Sequence, residues 1–293
     1  LENLLFDRDF LRKLEQMAFL MKKSMAGRYS GQHRSPRKGQ SVEFADYRSY
    51  VQGDDWRQVD WNAYARLERL FVKLFMEEQD LALYLLIDTS GSMGWRDGAK
   101  LRLAKQLAGS LAYLALVNTE QVSAAALGPG LTGYLPLQRG KAAVGRVWRF
   151  LEQLDGAGDT DLNASLRQAG RIIKRPGIAV LISDFLSPSG YHEGLKYLQH
   201  LGQQVVVLHI LAAGEREPEL MGNFRLVDCE NGEAREVSIT PMLLQAYRDR
   251  FREFVNELRR FCLNREIAYH TIGAEENPED IVLRSLRSIG VLG

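Results

Sequence analysis

The chain has 293 residues, enough for two modest domains or one large α/β domain with additions. Its 38 Lys and Arg against 37 Asp and Glu leave a formal charge of +1, which argues against a general nucleic-acid binder and against attachment to membranes by charge alone. A hydrophobic content of 45% with 26% charged residues excludes wholesale disorder, and the length suffices for a large core without staples.

The two cysteines, Cys229 and Cys262, have no disulfide or metal-ligand spacing and read as small hydrophobes in a reducing compartment. No run approaches the ~18 apolar residues of a membrane span, and the chain opens on no signal peptide. The resulting expectation is a cytoplasmic protein.

In chain order, residues 1 to about 30 predict a helix with Phe10, Leu11, Leu14, Met17, Ala18 and Met21 on one face. Basic residues gather from Lys22 to Lys38, and this stretch reads as a solvated linker or as a docking strip for an acidic surface. Residues 40–80 are charged and aromatic. Short strands are expected near Val42–Tyr50 and Leu70–Glu77, with a helix near Trp56–Leu67 between them. Glu43, Asp46, Arg48, Asp54, Asp55, Arg57, Asp60 and Arg66 are expected to form a salt-bridge network under Trp56 and Trp61.

From Leu81 the pattern becomes strand, helix, strand. Strands are predicted at Leu81–Asp88, Gln121–Leu127, Leu131–Leu137, Ile178–Asp184, Gln204–Leu211 and Ile267–Ile272. Helices are predicted at Ala99–Val117, Lys141–Gln153, Asp161–Lys174, Ser189–Leu201, Pro241–Asn264 and Pro278–Arg287. Asn231-Gly232 marks a β-hairpin at about 224–238. The alternation implies an α/β fold with a mostly parallel sheet covered by helices on both faces. Residues 1–79 are expected as an N-terminal extension that packs on a main domain of 80–293.

Chemistry is expected at the carboxyl ends of the strands. Asp88-Thr89-Ser90-Gly91-Ser92 follows a buried strand and precedes a helix. Asp88, Ser90 and Ser92 offer a carboxylate and two hydroxyls around one point, hard oxygens suited to Mg²⁺, Mn²⁺ or Ca²⁺ and unsuited to Zn²⁺. Thr160, in a loop opening a later helix, and Asp184, ending another apolar strand, join them if the two strands are neighbours. Two carboxylates then balance a divalent charge.

Asp88-x-Ser90-x-Ser92, Thr160 and Asp184, in that order, resemble the metal-ion-dependent adhesion site of von Willebrand factor type A domains. The resemblance covers about residues 80–290 and implies a doubly wound, Rossmann-like fold. It also implies a divalent cation, Mg²⁺ first with Mn²⁺ or Ca²⁺ as alternatives, coordinated by the hydroxyls of Ser90, Ser92 and Thr160. Asp88 and Asp184 would sit close by, directly or through water, and a partner's acidic side chain would fill the open position.

Gly31-x-His33-x-Ser35, Glu43-Phe44, Asp46-x-Arg48, Gly53-Asp54-Asp55, Asp60-Trp61 and Asp228-x-Glu230-x-Gly232 are similar to the bacterial domain-of-unknown-function family number fifty-eight. That resemblance implies an adaptor working with a MoxR-type AAA+ ATPase in protein assembly or maturation, peripheral to a membrane only through partners. The alternative is a metal-dependent hydrolase or phosphotransferase using Asp88, because Asp88-x-Ser90 slightly resembles haloacid-dehalogenase-type enzymes. There the second position is an acid; here it is Ser90, so the usual acid/base partner is missing. No phosphate loop and no G-x-S-x-G elbow occur. No catalytic residue is therefore assigned, and a binding module is favoured over an enzyme. A third possibility is a structural protein whose metal has no partner. His209 and His270 lie in apolar strands and read as core residues.

Overall fold

A computed structural model describes residues 12–16, 42–77 except 53 and 55, and 82–282 except 96, 119 and 231. The basic stretch 22–38, His33, the rest of the expected N-terminal helix and the chain after residue 282 lie outside the described residues. The chain divides into two compact units: Leu1–Met25 with Leu81–Gly293, and Ala26–Asp80.

In the smaller unit β1 (Val42–Ser49) and β2 (Phe71–Glu77) form an antiparallel pair. A 3₁₀ turn (Trp56–Gln58) and helix α2 (Trp61–Leu67) lie between them in sequence. Asp60 caps α2 by accepting from the Asn62 and Ala63 amides, and its other oxygen accepts from the Tyr47 hydroxyl at 2.7 Å. Of the expected salt-bridge network, Arg48 pairs with Asp54 at 2.8 Å. Trp56 and Trp61 are 63% and 56% exposed, so they do not bury it, and Arg57 sits over Trp56, 5.6 Å from the ring centroid.

The larger unit carries a helical segment at 12–16 (α1) and a six-stranded sheet. Its strands are β3 (Ala82–Asp88), β4 (Gln121–Leu127), β5 (Leu131–Arg139), β6 (Gly177–Ser183), β7 (Gln203–Leu211) and β10 (Ala268–Gly273). They lie in the order β10-β7-β6-β3-β4-β5. All neighbours are parallel except the β4–β5 hairpin.

β3 is buried along its whole length, as an apolar run in a two-sided sheet must be. Its side chains alternate between the two faces. Leu83, Leu85 and Ile87 pack with α3 (Ala99–Val117) and α4 (Val144–Glu152). Ala82, Tyr84 and Leu86 pack with α5 (Leu162–Ile172), α6 (His192–His200) and Leu258 and Cys262 of α8 (Pro241–Asn264). Full burial of each such Leu or Ile contributes about 1.5–3 kcal/mol. Leu14 of α1 joins the first face, and Tyr113 of α3 donates to Glu15 at 2.9 Å.

Several elements differ from the sequence expectation: the expected helix at 56–67 is a 3₁₀ turn followed by α2, β5 runs on to Arg139, and α5 ends at Ile172. α6 starts at His192 because Gly190 takes φ +71° and closes a turn onto the Ser187 carbonyl behind Pro188. The first turn after Gly140 is 3₁₀ (Lys141–Ala143). A short helix α7 (Ala213–Arg216) lies after β7, where none was expected. β8 (Gly222–Val227) and β9 (Ala234–Ile239) form the expected hairpin as a separate two-stranded sheet. α9 (Pro278–Asp280) lies where the closing helix is expected to start, and residues 283–287 of that expectation lie outside the described residues.

Candidate functional site

β3 lies between β4 and β6, so the chain leaves β3 toward one side of the sheet and later returns on the other. The carboxyl end of β3 is thus the point where strand order reverses, where ligands sit in open α/β sheets. The register pairs Ile87 with Ile182, so Asp88 lies beside Ser183 and one residue from Asp184. The expected neighbourhood of the two acids is therefore present. Both are wholly buried.

Asp88 is held at both oxygens. Oδ1 accepts from the Ser90 amide at 2.9 Å, and Oδ2 accepts from the Ser183 hydroxyl at 2.5 Å. The Ser90 and Ser92 hydroxyl oxygens are 2.9 Å apart. Ser90 is 0% and Ser92 7% exposed.

Two loops meet here because their glycines allow it. The Gly91 amide donates to the Gly158 carbonyl at 2.8 Å, and the Ala157 amide donates to the Thr89 carbonyl at 3.1 Å. A Cβ on Gly94 would lie 2.5 Å from the Gly156 carbonyl oxygen, and one on Gly156 would lie 2.6 Å from the Gly94 Cα. No other residue fits either position without moving the backbone.

Thr160 stands next to this junction, 5% exposed, with its hydroxyl 3.5 Å from the Gly128 carbonyl. Asp161 then caps α5 through the Ala164 amide and accepts from the Ser189 hydroxyl at 2.7 Å. Ser90 and Ser92 are in direct contact, and the acids are electrostatic neighbours. Thr160 is linked to them through the backbone ties of its loop.

Asp184 is followed by Phe185 at φ +60°, a left-handed conformation that a bulky side chain adopts only under tight packing. Phe185 is buried edge-on against Tyr191 and His209. The His209 Nε2 lies 3.1 Å from the Asp184 carbonyl oxygen, and its Nδ1 lies 2.8 Å from the Tyr269 hydroxyl. His209 is thus a satisfied core residue.

The charges are strongly perturbed. Burial, and then the charge of Asp184, push the Asp88 carboxyl up to about 7. Burial pushes His209 down to about 4. Lys100, 2% exposed, donates to Asp184 Oδ2 at 2.7 Å and also to Glu215. Burial works to lower its ammonium, and the two carboxylates overcome it and hold it above its ordinary value. Glu215 is itself held by the Ala212 amide at 2.8 Å.

Glu230, on the β8–β9 turn, faces Ser92. Burial raises its carboxyl, hydrogen bonding from Ser92 opposes this, and the Asp184 and Asp228 charges add to it.

Lys100, Glu215 and Glu230 were not among the expected site residues. A signal existed for Lys100: it falls on the helix face of Ala104, Leu107 and Leu111, an apolar stripe where a lone cation needs a buried partner. Glu215 and Glu230 arrive through distant elements, and no local spacing marks them.

Among the described residues, no three His, Cys, Asp or Glu side chains group as a metal-binding cluster. The donors present are hydroxyls and two carboxylates, a set that fits a hard cation and excludes a soft one by type. Asp88 also stands where the only described ammonium nearby, that of Lys100, is bonded to Asp184 and Glu215.

The family described as "Protein of unknown function DUF58" matches residues 46–260. Two curated relatives, Uncharacterized protein Mb1516 of Mycobacterium bovis and Uncharacterized protein Rv1480 of Mycobacterium tuberculosis, are each 26% identical over 235 residues, covering 78% of this chain and 74% of theirs. Among solved structures, the conserved hypothetical protein BatB from Bacteroides thetaiotaomicron is similar over 72% of this chain and 99% of its own, at 14% identity and a TM-score of 0.43. An aerotolerance-related membrane protein from Bacteroides fragilis is similar over 72% of this chain and 98% of its own, at 16% identity and the same TM-score of 0.43. Among the described residues, no helix is long and apolar enough to cross a membrane.

Proposed function

Because the chain belongs to the family described as "Protein of unknown function DUF58", whose description assigns no activity, we propose its function from the site itself. It is a metal-dependent protein-binding adaptor with a von Willebrand factor A-like domain. Ser90, Ser92 and Thr160 hold a divalent cation, Mg²⁺ first, through their hydroxyls. Asp88 and Asp184 would sit close by, directly or through water, and offset its charge. A bound divalent cation would supply an electrophilic centre able to take one more oxygen, that of an acidic side chain on a partner protein. By family resemblance, a MoxR-type AAA+ ATPase works with the adaptor in assembly or maturation of a client, in the cytoplasm.

One observation carries this reading. Two wholly buried carboxylates and two touching hydroxyls lie at the strand-reversal point of a parallel sheet, with Asp88 raised toward neutrality by burial and by the charge of Asp184. Burying a carboxylate is costly, and the ammonium of Lys100 offsets only Asp184 by direct contact, so a cation at the hydroxyls would favour the ionised form of Asp88.

The rival use of Asp88 as a nucleophile has less support. Both Asp88 oxygens are already hydrogen-bonded and the group is 0% exposed. Ser90 stands where an acid/base partner would be needed.

The test is capture of the MoxR-type ATPase of the same organism by the purified chain, with Mg²⁺ and with chelator. Retention with Mg²⁺, loss in chelator and loss with Ser90→Ala are expected. Retention indifferent to chelator would overturn the metal-dependent mode of binding.

A further inference from the structure

The β8–β9 hairpin bends its turn onto the metal loop. A Cβ on Gly91 would lie 2.7 Å from the Cys229 carbonyl oxygen, so turn and loop backbones are in contact. The turn is built to aim Glu230. The Asp228 side chain accepts from the Glu230 amide at 2.8 Å, and the Gly232 amide donates to the Asp228 carbonyl at 3.0 Å. Glu230 lies against Ser92, and its Oε1 is buried without a hydrogen-bond partner among the described residues. An orphaned buried carboxylate oxygen costs stability unless something else binds it.

The hairpin itself is a weak element. Along β8 and β9 every residue except Phe224, Val237 and Ile239 is exposed. A two-stranded sheet so exposed is marginal alone and depends on what its ends touch. Its strands are solvated and its tip is docked.

We infer that Glu230 is an internal carboxylate ligand of this site, competing with the acidic side chain of the partner for the open position. The inference rests on the metal reading proposed above. An arriving partner must displace Glu230, which gates binding by the hairpin. In the free protein the same carboxylate completes the oxygen set of Ser90 and Ser92.

The test uses Mn²⁺ as the metal and acetate as the carboxylate probe, on the full chain and on Glu230→Gln. Titration calorimetry reads Mn²⁺ affinity, and water-proton relaxation reads the water bound to Mn²⁺. In Glu230→Gln, affinity falls about tenfold, in the range typical when a group supporting a metal site is lost. Relaxivity per bound Mn²⁺ rises, and acetate lowers it at smaller concentration than in the parent chain. Hydrogen exchange of residues 222–239 slows on adding Mn²⁺ to the parent chain and not to the variant.

Equal Mn²⁺ affinity, relaxivity and hairpin exchange in parent and Glu230→Gln would overturn the role of Glu230 and leave the metal site standing. No Mn²⁺ binding by the parent chain would overturn both.

Discussion

Lys100 Nζ and Asp184 Oδ2 lie 2.7 Å apart in a pair where both side chains are at most 2% exposed. The site therefore carries its own fixed cation on Asp184, and among the described residues no ammonium or guanidinium pairs with Asp88. Lys100→Met would remove the ammonium that Asp184 and Glu215 share. Breaking one side of a buried pair costs about 3–5 kcal/mol. The variant should melt well below the parent chain in chelator, and Mg²⁺ should raise its melting temperature more than it raises the parent's. Equal metal-induced shifts in the two proteins would mean that Lys100 and the metal do not share Asp184.

The junction of Gly94 with Gly156 supports a second prediction. Gly156→Ala forces a Cβ to within 2.6 Å of the Gly94 Cα. Overpacking of this kind costs about 1–3 kcal/mol. Because the strain falls between the loops of Ser90–Ser92 and Thr160, Mn²⁺ affinity should drop together with stability. Calorimetry and urea unfolding on the same sample check both. Gly145→Ala, in α4 with nothing near the added methyl, is the control: stability should hold or rise slightly and Mn²⁺ affinity should not change.

How far this site was legible depends on how local each contribution is. Asp88, Ser90 and Ser92 sit in one strand-to-loop run, so their spacing alone placed them together. Asp184 required the assumption that two apolar strands are neighbours, and the β3–β6 register bears that assumption out. Lys100 was readable from its apolar helix face and was overlooked, because a cation at a helix start looks like surface. Glu230 was seen as part of a hairpin motif, but its approach to Ser92 depends on a fold-back across more than a hundred residues. The strands and α3, α8 and the hairpin were legible because period and turn residues agree there. The start of α6 was not, because Ser189, a good helix-start residue, spends its hydroxyl on Asp161 instead.

His209 makes the pH response asymmetric. The unfolded chain protonates this imidazole near 6.5, and the folded chain only near 4. Between these values the unfolded state binds more protons, so stability attributable to His209 is complete above about 6.5 and is lost as pH falls toward 4. By pH 5 the loss is about 2 kcal/mol. Asp88, raised to about 7, acts in the opposite sense between pH 4 and 7. The comparison must therefore be made against His209→Gln. Urea unfolding in chelator at pH 7 and pH 5 should show the parent chain losing more, or gaining less, than the variant. Identical pH slopes would contradict a neutral, buried His209.

The cysteines report on α8. Burial pushes the Cys262 thiol up to about 12, while Cys229 is exposed on the hairpin turn. At pH 8, Ellman's reagent should modify one thiol in the native chain and the second only after denaturation. Two reactive thiols in the native protein would contradict the packing of α8 on the sheet.

The central claim is that Asp88, Ser90, Ser92, Thr160 and Asp184 hold a divalent cation. Titration calorimetry of Mn²⁺ into the parent chain and into Asp88→Ala, with circular dichroism on both, tests it most directly. One saturable site is expected in the parent chain, with none in the variant and unchanged helix and strand content. A variant that binds Mn²⁺ as tightly as the parent, or a parent that binds none, would contradict the account.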